Sequence, residues 1–218
     1  MANRDPRHSA DAGAPDHPVF AALYDRLPDR LLPGPHREYL AADLSGRVLD
    51  LGAGNGPLFR YAAAAGADLE YHAVEPDPNR RRRAAREATD VGLEVRLRDA
   101  RAESLPYADD DFDIVIAGLV FCTIADPDAA LDEVARVLRP DGELRFLEHV
   151  RNDGWRAQAQ DALTPLWKRA AGGCRLNRET IERFVAHDAF EDIEVERLQF
   201  GFFPATPIFR GRLRRRGD

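Results

Sequence analysis

An apolar run that leads directly into three closely spaced glycines constrains the fold of this chain more than any other feature. Residues 47–56 read RVLDLGAGNG, and a helical pattern follows from Pro57. A buried strand, a tight glycine turn and a helix form the first unit of a parallel α/β sheet. Because such sheets bind ligands beyond the carboxyl ends of their strands, this loop predicts a ligand site.

The alternation of strands and helices continues along the chain. The pattern predicts strands at 47–51, 70–74, 93–98, 112–117 and 143–149, and helices at 57–65, 78–90 and 127–138, with Asp77 as the N-cap of the second helix. Two more helices, 154–170 and 177–187, and two more strands, 192–202 and 206–213, complete the series. We therefore expect a doubly wound α/β fold in which helices cover both faces of a mostly parallel sheet.

Length and local composition predict one domain with a flexible end. Residues 1–16 are polar and rich in Pro, Gly and Asp, which predicts a disordered N-terminal tail. Residues 17–218 are expected to form the single domain, with a helical insertion at about 151–190 over the ligand edge of the sheet. We find no apolar run of about 18 residues and no secretory signal, and two cysteines suit a reducing compartment. We expect a cytoplasmic protein.

Several kinds of chemistry are excluded by missing motifs. Lys168 is the only lysine and has no glycine-rich lead-in, so a P-loop is absent. None of the three serines lies in G-x-S-x-G, the turn that carries the nucleophile of α/β-hydrolases. Neither C-x-x-C nor H-E-x-x-H occurs, so we expect no metal site. The net charge of −7 argues against a nucleic-acid partner.

Acidic residues at the ends of three successive strands indicate the type of ligand. Pro57 stands where the dinucleotide-binding pattern G-x-G-x-x-G requires its third glycine. Asp50, just before the glycines, is unfavourable beside a pyrophosphate and favourable beside an amine. Glu75 suits ribose hydroxyls and Asp99 suits the exocyclic amine of adenine. The predicted ligand is therefore an adenosine joined to an amino acid without phosphate, which is S-adenosylmethionine (SAM). The less favoured alternative is a nicotinamide cofactor bound by an NAD-dependent oxidoreductase.

Four segments resemble successive motifs of the class I, Rossmann-like SAM-dependent methyltransferases: VLDLGAGNG, AVEPD, RDARAESLPYADDDFDIVIAG and EVARVLRPDGELRFLEH. The resemblance covers about residues 18–150 and implies a seven-stranded Rossmann-like sheet with an antiparallel C-terminal strand. It also implies the cofactor contacts, which are Asp50, Gly52, Ala53, Gly54 and Gly56 at the methionine end, Glu75 at the ribose, Pro76 against the adenine, Asp99 and Ala100 at the adenine edge, and Ala117 near the methionine.

A narrower resemblance concerns the C-terminal half. The segments LVFCTI, FLEHV, PLWKRAAGGCRLNRETI and PIFRGRL are similar to animal methyltransferase-like proteins that methylate alkyl thiols. This narrower resemblance favours S-methylation of a small, apolar thiol. Those proteins carry an N-terminal membrane helix that we do not find here. A lipid or quinone methyltransferase and a non-catalytic SAM-binding module remain the alternatives.

A thiol acceptor has to lose its proton, because the unperturbed pKa of a thiol is about 8.5. His149, at the end of the fifth strand, is the candidate general base, with a structural role at the strand end as the alternative. Cys122 follows the fourth strand near the expected methyl group, although a free cysteine is more often a small buried apolar residue. Cys174 lies in a Gly-Gly-Cys loop that could cover the site.

The partner is expected to be a small-molecule acceptor. Tyr24 and Trp167 are candidates for the lining of an apolar acceptor pocket, with core packing as the competing explanation for both. The basic run at 210–216 allows a weak peripheral membrane contact, although such runs are usually solvated. The oligomeric state is left open by the sequence.

Overall fold

A computed structural model of the chain describes residues 34–65 and 68–217. The predicted N-terminal tail and Tyr24 lie outside this part. The described elements are α1 (Gly34–Leu40), β1 (Gly46–Leu51), α2 (Phe59–Ala62), β2 (Leu69–Val74), α3 (Pro78–Val91), β3 (Val95–Arg98), β4 (Phe112–Gly118), α4 (Pro127–Val137), β5 (Leu138–His149), α5 (Gly154–Ala170), α6 (Thr180–Ala186), β6 (Phe190–Leu198) and β7 (Ile208–Arg215).

The strands form one seven-stranded sheet in the order β3-β2-β1-β4-β5-β7-β6. The pairs from β3 to β5 are parallel, while β7 is antiparallel to both of its neighbours. This confirms the predicted doubly wound sheet with one antiparallel strand near the C-terminus. After β1 the chain turns toward β2, whereas β4 lies on the other side of β1, so the strand order reverses between β1 and β4. A crevice opens beyond the strand ends at such a reversal.

Side chains of the central strands alternate between two apolar layers. In β4, Val115 and Ala117 belong to one buried cluster, whereas Ile114 and Ile116 belong to the other. This period of two is what a strand produces when both faces of its sheet are covered. The predicted apolar face of α4, made of residues that are 0–1% exposed, packs into the first cluster; its members are Leu131, Val134 and Val137, and Leu138 follows in β5.

The start and end of α3 follow from its local sequence. The Asp77 side chain accepts hydrogen bonds from the backbone N–H groups of Asn79 and Arg80, and Pro78 occupies the first turn. Gly92 ends the helix in the left-handed conformation with φ 70°. The predicted N-cap is confirmed.

Several predicted boundaries differ from the structure. The helix predicted at 57–65 is the single turn α2. Strand β5 begins at Leu138 rather than 143, because Phe112 pairs with Leu138 before the register shifts to Ile114 and Glu143. Asp141, with φ 64°, lies inside this strand. Strand β6 spans Phe190–Leu198 rather than 192–202.

Helices α5 and α6 follow the end of β5 and are held against the sheet by different contacts. Gln160, fully buried in α5, donates to the carbonyls of Pro204 and Thr206, at 2.9 and 3.0 Å, and its Oε1 accepts from the Asn152 N–H. In α6, Phe184 packs edge-on against Phe146 of β5. In the part of the chain that the structure describes, no helix has the length and apolarity needed to cross a membrane.

Candidate functional site

The glycine loop after β1 adopts a conformation that other residues rarely take. Gly52, Gly54 and Gly56 have φ of 66°, 58° and 84°. A Cβ on Gly52 would lie 2.3 Å from Cγ2 of Val120, in the loop after β4, so the two loops touch at this point. A Cβ on Gly54, in contrast, would meet no described atom within 4 Å. Gly54 therefore presents bare backbone to open space, where a ligand can approach closely.

Asp50 is buried at the end of β1, directly before this loop. The residue is 3% exposed, and its Oδ2 accepts a hydrogen bond of 3.1 Å from the Tyr71 hydroxyl. Burial raises the pKa of Asp50 to about 7, and the negative charge of Glu75 adds to the rise, while the bond from Tyr71 opposes it. A cation placed next to Asp50 would relieve this cost.

Glu75 joins the glycine loop to the turn after β2. Its Oε2 accepts from the N–H of Gly54 and its Oε1 accepts from the N–H of Asp77, both at 2.9 Å. Burial raises the pKa of Glu75, and the backbone N–H groups act in the opposite direction. The carboxylate is therefore held at the crevice by two loops at once.

Asp99, which was expected at the adenine edge, faces another partner. Its side chain is 67% exposed and pairs with Arg81 at 2.9 Å. Arg81 also donates to the carbonyl oxygens of Glu75 and Pro76, so it connects the loops after β2 and β3. Asp99 is not among the described residues that line the cleft, whereas its neighbour Ala100 is.

A cleft of about 140 Å³ lies beyond the strand ends. Four residues expected from the sequence line it, which are Gly52, Glu75, Pro76 and Ala100. Its opposite wall is formed by residues that the sequence reasoning did not select; these are Leu119, Val120, Thr123, Ile124 and Ala125 after β4, and Gly172 after α5. The quoted segment LVFCTI contains most of this wall, but nothing in its spacing distinguishes the lining residues from the buried ones.

A second, smaller cavity of about 30 Å³ shares Gly52 with the cleft. Asp50 and Ala53 line it together with Arg37, which comes from α1 and was not expected at the site. The predicted residue Ala117 is fully buried in the core, and the next residue, Gly118, lines this cavity. An anion and a cation, Asp50 and Arg37, thus line the same small cavity.

Cys122, His149 and Cys174 come together behind the wall of the cleft. Nε2 of His149 lies 3.1 Å from Sγ of Cys174, and the ligand atoms of the three residues all lie within 4.8 Å of one another. Cys122 is buried and donates weakly to the Leu119 carbonyl at 3.6 Å, and His149 is only 5% exposed. Cys174 is the most exposed of the three. His149 is not among the described residues that line the cleft.

The three side chains strongly affect one another's protonation. Hydrogen bonding from Cys122 and from His149 lowers the pKa of Cys174 to about 5, although burial opposes this. Burial alone would lower the pKa of His149, but the Cys174 sulfur beside it raises it overall. The Cys122 pKa is raised because this thiol lies beside the Cys174 sulfur and is buried. The arrangement favours a thiolate on Cys174 paired with a protonated His149.

Glu148 and Trp167 lie around this cluster. Glu148 accepts from the N–H groups of Val120 and Phe121, at 2.8 and 3.0 Å, and burial raises its pKa to about 7. It therefore fixes the loop that carries the cleft wall. The indole of Trp167, in α5, lies beside Cys174 and contributes to lowering its pKa. Trp167 is thus brought to the cluster.

Comparison with known proteins identifies related sequences. The methyltransferase domain family model matches residues 49–146. Thiol S-methyltransferase TMT1B of Mus musculus is 32% identical over 89% of this chain and 84% of its own length. For TMT1B of Homo sapiens the identity is 37%, and the match spans 48% of this chain and less than half, 44%, of the human protein. The ubiquinone/menaquinone biosynthesis C-methyltransferase UbiE of Bordetella avium is 34% identical over 60% of this chain and 54% of its own.

Solved structures share the fold at lower identity. A SAM-dependent methyltransferase from Methanosarcina mazei superimposes with a TM-score of 0.64 at 18% identity, covering 80% of this chain and 94% of its own. The [4+2]-cyclase SpnF superimposes with a TM-score of 0.67 at 21% identity over 83% of this chain and 80% of its own. These likenesses establish the fold alone, since the two proteins are described by different activities.

Proposed function

Because this chain belongs to the Rossmann-like SAM-dependent methyltransferases, we propose that it methylates the sulfur of a small, apolar thiol. The observation that carries the proposal is the match to mouse TMT1B, a thiol S-methyltransferase, across 89% of this chain. That match includes the C-terminal half, in which Cys174 and Trp167 lie. The methyltransferase domain model, in contrast, ends at residue 146 and gives no information about the acceptor.

The residues of the cleft fit SAM. Glu75 and Pro76 would hold the ribose and the adenine, with Ala100 at the adenine edge. The open backbone at Gly54 allows close approach of the ligand. In the small cavity, Asp50 would accept from the ammonium group of the methionine end, and Arg37 would donate to its carboxylate. Asp99 would contribute after exchanging its partner Arg81 for the adenine amine.

The bound cofactor supplies a methyl group on a positively charged sulfur that leaves readily, so the protein has to align the acceptor and exclude water. We assign the removal of the acceptor proton to His149 acting together with Cys174, because the two side chains share one proton and the pair can take up a second. Cys174 touches His149 and is the more exposed of the two, so it would lie between His149 and the acceptor. Cys122 and Trp167 would line the acceptor side next to Cys174, and Tyr24 is proposed for the same pocket.

Methyl transfer from labelled SAM to a panel of alkyl thiols tests this function. We expect S-methylated products, and we expect His149→Ala to lower kcat by about 10²–10⁴-fold, the usual contribution of a general base. His187→Ala is the matched control, because His187 follows α6 and pairs with Asp132 of α4, outside the cluster. Full activity of His149→Ala at neutral pH would remove His149 as the base. Binding of SAM without transfer to any acceptor would identify a non-catalytic SAM-binding module.

The match to UbiE supports a second candidate, methylation of a quinone or of a lipid. It is less favoured because the alignment covers 60% of this chain, compared with 89% for mouse TMT1B. Adding a demethylated quinone and phosphatidylethanolamine to the same panel separates the candidates. Transfer to either of them, with none to the thiols, would replace the thiol proposal.

A further inference from the structure

Three soft ligand atoms converge beside the cleft from three separate parts of the chain. Cys122 belongs to the loop after β4, His149 ends β5, and Cys174 follows α5. Their ligand atoms lie within 4.8 Å of one another, and the chain has no cysteines other than these two. Sequence spacing did not suggest a site, because 27 and 25 residues separate them along the chain (149 minus 122 and 174 minus 149).

The distances suit a tetrahedral ion. Zn²⁺ binds cysteine sulfur at about 2.3 Å and histidine nitrogen at about 2.0–2.1 Å, so the ligands of one ion lie roughly 3.5–4 Å apart. The 3.1 Å between Nε2 of His149 and Sγ of Cys174 would have to open by a few tenths of an ångström. Thiolate and imidazole ligands favour Zn²⁺ and similar soft ions over Mg²⁺ or Ca²⁺, which prefer oxygen.

A buried carboxylate next to the cluster also favours a cation. Glu148 is 0% exposed, and its Oε2 has no hydrogen-bond partner among the described residues. Its charge acts on all three cluster residues. Arg178 acts on Cys122 in the opposite direction to Glu148, and its Nη2 donates to the Ile124 carbonyl at 2.5 Å. A fully buried carboxylate with one oxygen left unpartnered is costly unless positive charge is supplied nearby.

We propose that Cys122, His149 and Cys174 form a three-ligand site for Zn²⁺. The fourth position would hold water or an added ligand on the side of Cys174, the most exposed member. Three protein ligands and one open position are the composition of reactive zinc sites rather than of closed structural ones. Binding displaces two protons into solvent, one from the Cys122 thiol and one from the Cys174–His149 pair, and no electrons are transferred.

One consequence rests on the proposed function. A bound Zn²⁺ would occupy Nε2 of His149 and Sγ of Cys174, the two atoms at which the pair is proposed to take up the proton of the acceptor thiol. The metal-bound form and the base-competent form therefore exclude each other, and zinc is expected to lower thiol methylation. Methylation by the metal-free protein does not require bound zinc.

Metal binding is measured directly, without an activity assay. Reduced, chelator-treated full-length protein is titrated with Zn²⁺ by calorimetry and with Co²⁺ by absorption, where thiolate ligands produce an intense charge-transfer band in the near ultraviolet. We expect one ion per chain. Cys122→Ser, Cys174→Ser and His149→Ala should each weaken Zn²⁺ binding by at least tenfold, and the cysteine variants should reduce the band. His187→Ala should bind as the wild type does.

Retained SAM affinity shows that a variant that has lost zinc binding is still folded. If the Cys174→Ser chain does not fold, protection of the two wild-type thiols from alkylation by Zn²⁺ serves as a second readout. Absence of saturable Zn²⁺ binding, or equal binding by all variants, would overturn the site. Zinc binding without thiol methylation would remove only the proposed function, whereas thiol methylation without zinc binding would remove only the site.

Discussion

The N–H of Gly54 donates a hydrogen bond of 2.9 Å to Oε2 of Glu75, and this bond ties the glycine loop after β1 to the end of β2. The other oxygen of the same carboxylate accepts from the N–H of Asp77. The group proposed to bind ribose is thus positioned before any ligand arrives. Such preorganisation lowers the cost of ordering the site upon binding.

Glu75→Gln is expected to weaken SAM binding. An amide presents an NH₂ group to one of two backbone donors, so at least one of the two bonds to Gly54 and Asp77 is lost. We expect a loss of about 1–3 kcal/mol in binding free energy, measured by calorimetry. Glu94→Gln makes the same change at an exposed glutamate, so this control should bind SAM with wild-type affinity. Unchanged affinity in Glu75→Gln would remove this residue from the cofactor site.

SAM affinity should depend on pH through Asp50. Its pKa of about 7 means that it is largely protonated at pH 6 and largely ionised at pH 8. The ammonium group of SAM favours the ionised form, so affinity should rise across this interval and binding should release a proton. Calorimetry in buffers of different ionisation enthalpy measures that proton. In Asp50→Asn the affinity should be lower at pH 8 and the release should disappear; a release equal to that of the wild type contradicts the assignment.

Asp50 should also affect the stability of the ligand-free protein. Burial raises its pKa in the folded state from 3.8 to about 7, so the folded state retains a proton that the unfolded state loses. The free energy of unfolding contributed by Asp50 therefore falls as pH rises from about 4 to about 7. Urea unfolding of Asp50→Asn and of wild type should show a difference that grows in favour of Asn over this range. A difference that is constant with pH would contradict the raised pKa.

Gly54→Ala separates the effect of backbone strain from the effect on the ligand. Gly54 has φ 58° and Gly92 has φ 70°, and neither would place a Cβ within 4 Å of a described atom. Alanine at either position should cost about 1–2 kcal/mol of stability, since both are left-handed. SAM affinity should fall only in Gly54→Ala, because its open space belongs to the site. Equal affinities of the two variants would show that no ligand approaches Gly54.

The sequence was most informative where the signal is local. The run RVLDLGAGNG predicted β1 and the loop, and Asp77 with Pro78 predicted the start of α3. These features depend on neighbouring residues, so they can be read without the fold. The start of β5 at Leu138 was missed, because it results from pairing with Phe112 in β4 rather than from its own pattern.

The candidate site was predicted less completely for the same reason. Asp50 and Glu75 stand at strand ends, and parallel strands bring their carboxyl ends to one edge of the sheet. The contact of His149 with Cys174, in contrast, depends on how the segment after β5 folds back, which no local pattern encodes. Arg37 was likewise missed, since an arginine in a short helix has no signal that connects it with Asp50.

Calorimetric titration of the wild-type chain with SAM, S-adenosylhomocysteine and NAD at pH 8 tests most directly that this cleft holds a methyl donor. We predict binding of the first two at one molecule per chain and no binding of NAD, with the affinity for SAM reduced in Asp50→Asn. Binding of NAD together with no response to SAM would contradict the account.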